Sequence, residues 1–179
     1  MRLLCALILG SLVFAAGCGG EEEETLTIYL KQRLGREGPP GQVAPVLMPV
    51  ERRTRPGEPL ARQIVLELAV GPTPDERAHG FLDTLAPEVR FGSVTVRDGT
   101  AVVEVARREP DFYGTAAVVY SLTELPDVDR VELRLDGRPC CMYRHDRTVV
   151  TSIPRTSYRG WQGEPCGERD RDDTVRCRG

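Results

Sequence analysis

One short stretch in the middle of the chain constrains its fold more than any other: "SVTVRDGTAVVEVA", from Ser93 to Ala106. Two β-branched runs are separated there by Asp98-Gly99, a residue pair typical of a type I′ turn. The turn fixes the register and sets two apolar pairs on one face, Val96 with Ala101 and Val94 with Val103. The sequence therefore predicts an antiparallel hairpin with one buried face.

Three further segments have the alternation of a half-buried strand. In Thr25 to Leu30, "TLTIYL", apolar residues alternate with Thr and Tyr. Val46 to Thr54 is predicted as an edge strand, because Pro49 cannot donate a hydrogen bond to a central ladder. Arg130 to Leu135 alternates between charged and apolar residues and ends at Asp136-Gly137, a second turn pair.

Apolar residues at helical spacing predict two main helices. The first begins near Pro59 and ends at Gly71-Pro72, because glycine accepts a left-handed cap and proline cannot continue a helix. The second extends from Phe112 to Leu125 and is closed by Pro126. Between them, Thr73 to Gly80 has the capping box of a short helix.

The order of these elements predicts an α+β fold, in which a mixed or antiparallel sheet of four to five strands carries two main helices on one face. A length of 179 residues leaves room for one ordinary domain and some additional chain. The formal net charge of -3 argues against a nucleic-acid partner, because such proteins usually carry a basic surplus.

The first residues have the pattern of a secretory signal. Met1 and Arg2 precede the apolar stretch Leu3 to Phe14, and small residues lead from there to Cys18. The stretch is shorter than the about 20 apolar residues that a bilayer-spanning helix needs. Small residues directly before a cysteine resemble a bacterial lipobox, which directs lipid attachment and cleavage. We expect a lipoprotein signal peptide over residues 1–17 and acyl chains, palmitate among them, on Cys18.

Residues 18–24 would then be the lipidated cysteine and a flexible acidic tether, because glycines and a run of glutamates make a self-repelling spacer. Two or more acyl chains hold a protein firmly on a bilayer. We therefore expect the protein at the cell membrane, lipid-anchored, on the extracytoplasmic side. The alternative is an ordinary signal peptide cut near Cys18, which would release a soluble secreted protein.

Five segments between Thr25 and Gly137 share an order and spacing with a known family. They are "TIYL", "VLMPVERR", "AVGPTPDE", "VTVRDGTAVVEVA" and "VVYSLTELPDVDRVELRLDG". Residues 25–137 resemble a GerMN domain, also called the sporulation and spore germination domain. The resemblance implies an extracytoplasmic module, often carried by bacterial lipoproteins and similar in shape to the ring-building motifs of secretion-type assemblies. It implies no catalytic signature.

Residues 138–179 lie outside that resemblance and form a Cys-rich C-terminal extension, with Cys140, Cys141, Cys166 and Cys177. Outside the cytoplasm such cysteines form persistent disulfides. A bond between the neighbours Cys140 and Cys141 would be strained, so we expect each to pair with Cys166 or Cys177. The alternatives are a zinc site that includes His145 and a redox role for the vicinal pair. The spacing fits no common zinc motif, and we predict no metal ion.

Two aromatic residues of the extension, Tyr158 and Trp161, form the candidate binding patch, because aromatic side chains often dominate protein contacts. Packing around a disulfide is the other interpretation of both residues. His145-Asp146 with Ser152 or Ser157 has the composition of a catalytic triad, but no nucleophile elbow frames either serine. We therefore predict no catalytic residue.

These observations predict a non-catalytic envelope lipoprotein whose GerMN-like domain docks onto another envelope protein or the cell wall. We expect attachment to the membrane through the lipid anchor, no nucleic-acid partner and no cofactor. One alternative is a cell-wall hydrolase that uses His145 or the carboxylates of the tail. Another is a thiol- or metal-binding lipoprotein. A link to sporulation follows from the resemblance alone.

Overall fold

The computed structural model describes residues 24–33, 45–140, 142 and 150–158. Within them the chain forms short strands and helices that pack around one core. In chain order they are β1 (Thr25–Gln32), β2 (Val46–Arg53), α1 (Leu60–Val70), α2 (Pro74–Ala78), β3 (Phe81–Leu82), β4 (Arg90–Arg97), β5 (Thr100–Arg107), α3 (Phe112–Leu122), β6 (Arg130–Leu135), β7 (Arg138–Pro139), β8 (Ile153–Pro154) and a 3-10 helix (Arg155–Tyr158). The predicted α+β class is confirmed.

The predicted hairpin is formed by β4 and β5, and its register is as expected. Val96 pairs with Ala101, and Val94 pairs with Val103. Asp98 has φ 48° and Gly99 has φ 72°, as a type I′ turn requires. Strand β5 also pairs with β6 in parallel, and the connection between these two strands contains α3. A parallel pair needs such a crossover, which explains why a helix separates the two strands in the sequence.

The strands fall into two sheets, and the predicted single sheet was wrong in this respect. One sheet has the order β2-β1-β3, and the other has the order β4-β5-β6-β7 with β8 on β6. Helix α1 contacts β1 and β4, while α3 contacts β1 and β6. The helices therefore join the two sheets instead of covering one face of a single sheet.

The physical reason lies at the edge of β1 that faces α3. The N–H of Tyr29 donates a hydrogen bond of 2.9 Å to Ser121 Oγ on α3, and Ser121 Oγ donates to the Ala117 carbonyl at 2.7 Å. The N–H of Lys31 donates to Thr84 Oγ1 at 2.8 Å. These hydroxyl groups take the place of a neighbouring strand, because a buried N–H without a partner is costly. Strand β1 therefore does not continue into the second sheet.

Helix α3 is buried along most of its length, from Gly114 to Leu122. A helix that is apolar on all sides lies in the centre of a protein, and here it contacts both sheets and α1. Its N-terminus is capped by the Asp111 side chain, which accepts from the Gly114 N–H. The helix ends at Leu122, so it is shorter than the predicted segment to Leu125.

Local signals for the other helix ends are confirmed. Helix α1 stops at Gly71, whose φ of 77° is one that glycine adopts readily, although its ψ of -161° lies outside the left-handed helical region of the predicted cap. Helix α2 has the complete capping box between Thr73 and Glu76. Strand β2 lies at a sheet edge, as Pro49 predicted. Pro49 pairs with Tyr29, whose own N–H points to Ser121, so the missing N–H of Pro49 breaks no bond between the two strands.

The core includes side chains from beyond Gly137. Met142, Ile153 and Tyr158 are each 0% exposed and belong to the same cluster as the strands and helices of residues 25–137. Strand β8 pairs with β6 through Ile153 and Pro154. The first part of the C-terminal extension is therefore packed onto the domain.

Two turn glycines allow a matched test of packing at the hairpin. Gly99 and Gly137 both have φ 72°, and each follows an aspartate. A Cβ at Gly99 would lie 2.5 Å from Asp129 Oδ2, whereas a Cβ at Gly137 would meet nothing within 4 Å. Both alanine variants carry the left-handed strain of about 1 kcal/mol. We expect Gly99→Ala to cost about 1 kcal/mol more in urea unfolding, because Asp129 must move.

The control for this comparison removes the obstructing carboxylate. In an Asp129→Ala background, the two glycine variants should become equally destabilising. An equal cost for Gly99→Ala and Gly137→Ala in the unmodified chain would contradict the prediction.

Candidate functional site

Most of the site residues predicted from the sequence lie outside the described residues. These are Cys18, Cys141, Cys166, Cys177 and Trp161. Cys140 follows β7 and donates its N–H to the Leu133 carbonyl at 2.9 Å. Its predicted disulfide partners, Cys166 and Cys177, lie outside the described part of the chain. The connectivity therefore stays a prediction.

Tyr158 does not form an exposed contact patch, and that interpretation was wrong. Its side chain is 0% exposed, so no partner protein can reach it. The ring packs edge-on against Phe112 at 5.4 Å between centroids and lies 6.3 Å from the ring of Tyr120. The Tyr120 hydroxyl donates to the Tyr158 carbonyl. The side chain therefore packs into the domain against Phe112 and Tyr120, and packing around a disulfide stays a prediction.

Arg155 contacts two neighbouring tyrosine rings, whose centroids are 5.2 Å apart, and so connects the 3-10 helix to the domain. Its guanidinium carbon is 5.2 Å from the ring centroid of Tyr29 and 5.1 Å from that of Tyr120. Nη2 donates to Tyr29 Oη at 2.7 Å and lies 2.6 Å from Glu124 Oε1. The charge of Arg155 is therefore neutralised by Glu124 and stabilised by the ring faces. We call Tyr29, Tyr120, Glu124, Arg155 and Tyr158 the tyrosine–arginine cluster.

The cluster changes the acidity of its tyrosines. Burial and the hydrogen bond to Glu124 raise the pKa of Tyr29 to about 12, although Arg155 opposes the shift. The Tyr29 hydroxyl donates to Glu124 Oε1 at 2.6 Å, so the neutral phenol is the form that the carboxylate stabilises. Burial also raises the pKa of Tyr120 and of Tyr158. The three tyrosines therefore stay protonated at neutral pH. The cluster stabilises the packing of the 3-10 helix against the domain.

A test of this electrostatic arrangement follows from the direction of the shift. Tyrosine has a pKa of about 10 in an unfolded chain. Because the folded pKa of Tyr29 is about 12, the stability that its neutral hydroxyl contributes is fully present below pH 10. That contribution is lost as the pH rises towards 12. We expect Tyr29→Phe to be less stable than the unmodified protein below pH 10, and the difference should narrow above that pH.

Urea unfolding of both proteins between pH 8 and 11.5 measures this difference. Tyr120 and Tyr158 are present in both proteins, so their own titration largely cancels in the comparison. A difference that stays constant across the whole pH range would contradict the assignment.

An open groove lies between α1 and the loop that leads into β4. It has a volume of about 520 Å³. Its lining from α1 is apolar, and Leu85, Ala86 and Pro87 line it from the loop. Arg55, Asp83 and Arg90 are its charged residues. Val70, at the last position of α1, is 69% exposed. Among the described residues, it is the large hydrophobic side chain that is exposed to solvent. We call this feature the α1 groove.

The charged residues of the α1 groove have different partners. Asp83 is ion-paired with Arg77 at 2.8 Å, and this contact lowers the pKa of the Asp83 carboxyl. Arg55 is paired with Glu67 and lies 3.7 Å from Glu58. Arg90 donates to the carbonyls of its own loop, Pro87 and Val89. The groove therefore has apolar residues on both sides, with a positively charged contribution from Arg90.

Sequence reasoning missed both the cluster and the groove. Arg155, Glu124 and Tyr29 come together from three distant segments, so no local pattern joins them. Val70 did carry a signal, because it lies outside the apolar stripe of Leu60, Ile64, Val65 and Leu68. A hydrophobic residue off the buried stripe at a helix end is a candidate for an exposed contact.

Catalytic and metal sites have little support among the described residues. No group of three or more His, Cys, Asp or Glu side chains there could hold a metal ion. His79 is exposed after α2, and its Nδ1 lies 2.8 Å from the Asp75 carbonyl. His145 and Asp146 lie outside the described residues, so the triad composition stays untested. In the described chain, no helix is long and apolar enough to cross a bilayer.

The fold and the groove together define a small α+β domain with an open surface groove. Comparison with family models identifies the family of this domain. The model of the Germane family, described as sporulation and spore germination, matches residues 27–141, and the chain belongs to this family. The predicted family is thereby confirmed. A search of curated proteins finds no significant match.

Solved structures include several similar folds. The tandem GerMN domains of the sporulation protein GerM from Bacillus subtilis align with a TM-score of 0.53 and 22% identity, over 64% of this chain and 39% of that one. This chain thus spans about two fifths of the tandem protein. The first GerMN domain of GerM from Bacillus subtilis aligns with a TM-score of 0.49 and 19% identity, over 74% of this chain and 98% of that one. A lipoprotein candidate from Clostridium perfringens aligns with a TM-score of 0.39 and 16% identity, over 64% of this chain and 76% of that one.

Proposed function

We propose that this protein is a lipid-anchored, extracytoplasmic lipoprotein whose GerMN domain is a non-catalytic interaction module of the cell envelope. The observation that carries the proposal is the combination of two features in one chain. A family domain occupies residues 27–141, and an apolar leader ending in small residues and Cys18 precedes it. The description of the family points to sporulating cells as one setting for this role.

The distance between the anchor and the domain supports a position close to the bilayer. Six peptide units separate Cys18 from Glu24, the first described residue. Even a fully extended chain spans at most about 3.6 Å per residue, so the tether reaches roughly 20 Å. A partner of the domain would therefore lie in the envelope, near the membrane surface.

Disulfides in the extension are a second part of this proposal. Cys140 would pair with Cys166 or Cys177, and Cys141 with the remaining one, as expected for an oxidising compartment. Each bond would stabilise the protein by typically about 2–4 kcal/mol. Peptide mapping without reduction identifies the pairs. Four free thiols in the natively isolated extension would contradict this part.

The anchor is tested by intact mass spectrometry of the protein isolated from its own membranes. We expect cleavage before Cys18 and added acyl mass on that residue. Cys18→Ser should retain the leader and lose the lipid, while Cys5→Ser, a matched change within the leader, should still be acylated. An unmodified residue 18 in the natural protein would overturn the proposal.

The non-catalytic role is tested separately with purified mature protein and peptidoglycan. We expect no release of soluble fragments. Turnover that His145→Ala abolishes would favour the alternative of a cell-wall hydrolase and contradict the interaction module.

A further inference from the structure

The α1 groove combines an exposed apolar residue with further apolar lining residues from α1 and the loop before β4. Val70 is 69% exposed, and a single exposed hydrophobic side chain is ordinary on a protein surface. Here, however, Val70 adjoins Leu66, Ala69 and Leu85 in one groove of about 520 Å³. That volume lies within the range of about 300–1,000 Å³ typical of ligand sites. The groove can therefore bury an apolar side chain of a partner.

The charges of the groove favour an anionic partner. Two arginines and one aspartate line it, and Asp83 already has Arg77 as its counterion. Arg90 has no carboxylate partner among residues 24–33, 45–140, 142 and 150–158, and it donates to backbone carbonyls. A guanidinium in this position retains donors for an incoming carboxylate, which it can bind with charge-assisted hydrogen bonds.

The walls of the groove are held in place by contacts that do not depend on a ligand. Gln63 is 1% exposed and bonds to the backbone of Arg55 and Glu58, which fixes the loop that carries Arg55. On the opposite side, Asp83 is ion-paired with Arg77, a half-exposed contact that adds a smaller restraint. A preformed site lowers the ordering cost of binding, so a short segment of a partner can bind without rearranging the domain.

We propose that the α1 groove is the docking site for a peptide segment of an envelope protein, in which an apolar side chain stands next to a carboxylate. The apolar side chain would contact Val70 and Leu85, and the carboxylate would contact Arg90. A peptide is favoured over a glycan strand, because no aromatic side chain among the described residues lines the groove and sugar rings commonly stack on aromatic faces. The inference rests on the proposed interaction module and assigns its surface and the chemistry of its partner.

The first experiment uses a blocked tetrapeptide, acetyl-Ala-Leu-Glu-Ala-amide, with acetyl-Ala-Leu-Gln-Ala-amide as the uncharged control. Amide chemical shifts of the mature, non-acylated protein are followed by NMR during titration to about 10 mM, a range suited to weak ligands. We expect shifts at Val70, Leu85 and Arg90, and binding of the Gln peptide about fivefold weaker, as for one exposed ion pair.

Variants separate the two contacts. Arg90→Gln should reduce the affinity for the Glu peptide to that for the Gln peptide, and Val70→Ser should weaken both peptides equally. Arg97→Gln is the matched control, because Arg97 is an exposed arginine on the same strand, and this variant should bind like the unmodified protein. No localised shifts with the Glu peptide, or equal binding of both peptides to the unmodified protein, would overturn the inference.

A second experiment distinguishes failure of this inference from failure of the proposed function. A photo-crosslinking amino acid is placed in living cells at position 70 or at position 95, where Thr95 is exposed on β4. Crosslinks from position 70 to an apolar–acidic segment of an envelope protein support the docking site. Crosslinks to envelope proteins from position 95 alone, or to a glycan from position 70, overturn it and leave the interaction module intact. No envelope partner from either position contradicts both proposals.

Discussion

Tyr158→Ala is expected to lower the free energy of unfolding by about 3–5 kcal/mol, the cost of removing a fully buried aromatic side chain. Tyr158 is 0% exposed and packs against Phe112 and Tyr120, although it lies beyond the segment that resembles the family. Domains are typically stable by only about 5–15 kcal/mol, so this single change should remove a large part of the total. Urea and thermal unfolding measure the loss.

The matched control is Thr156→Ala in the same 3-10 helix, where the side chain is exposed. It should change stability by less than about 0.5 kcal/mol. Comparable effects of the two substitutions would mean that the segment 150–158 is only loosely attached. A loss specific to Tyr158 would show that the folding unit extends beyond residue 141, where the family match ends.

The second large effect is expected for Gln63→Leu, at about 2–4 kcal/mol. The Gln63 amide donates to the carbonyls of Arg55 and Glu58 at 2.8 and 2.7 Å and accepts from the Arg55 N–H at 2.6 Å. Each net bond contributes about 1 kcal/mol, and leucine would leave three backbone groups of the loop without these partners. Because this loop carries Arg55, one wall of the α1 groove should also become mobile.

Two further variants are compared with Gln63→Leu, one that keeps part of the hydrogen bonding and one at the neighbouring position. Gln63→Glu keeps one acceptor oxygen but loses the two donated bonds, so we expect its stability to lie below that of the unmodified protein. Arg62→Ala, the neighbouring position on α1, removes a half-exposed ion pair with Glu58 and should cost less than about 1 kcal/mol. A loss below about 1 kcal/mol for Gln63→Leu would mean that the loop does not depend on this side chain.

Short-range features of the fold were correctly predicted because they depend on neighbouring residues. The Asp98-Gly99 turn requires positive φ at two adjacent positions, and the register of β4 and β5 follows from it. The capping box of Thr73 and Glu76 satisfies donors within one helical turn. Pro49 restricts β2 to an edge by removing its own N–H. In each case, the physical cause lies within a few residues of its effect.

Features that join distant segments were not predictable in this way. The division into two sheets depends on whether a strand or a hydroxyl group satisfies the Tyr29 N–H, and Ser121 is 92 positions away from it. The contact of Arg155 with both Tyr29 and Tyr120 likewise joins three separate parts of the chain. The sequence leaves a surface contact and packing both open for Tyr158, because an aromatic residue among polar neighbours has the same local pattern whether it is buried or exposed.

The sequence by itself determined the order of the five longer strands and the three α-helices, most of their boundaries, the turn that fixes the hairpin, and the family. It did so because backbone sterics, capping hydrogen bonds and hydrophobic periodicity act over a few residues. Only the tertiary structure decided which strands share a sheet, that residues 150–158 complete the core, and that Val70 and Arg90 line one groove. Those outcomes depend on burial and hydrogen-bond satisfaction between segments far apart in the chain, and local pattern carries no information about such distances.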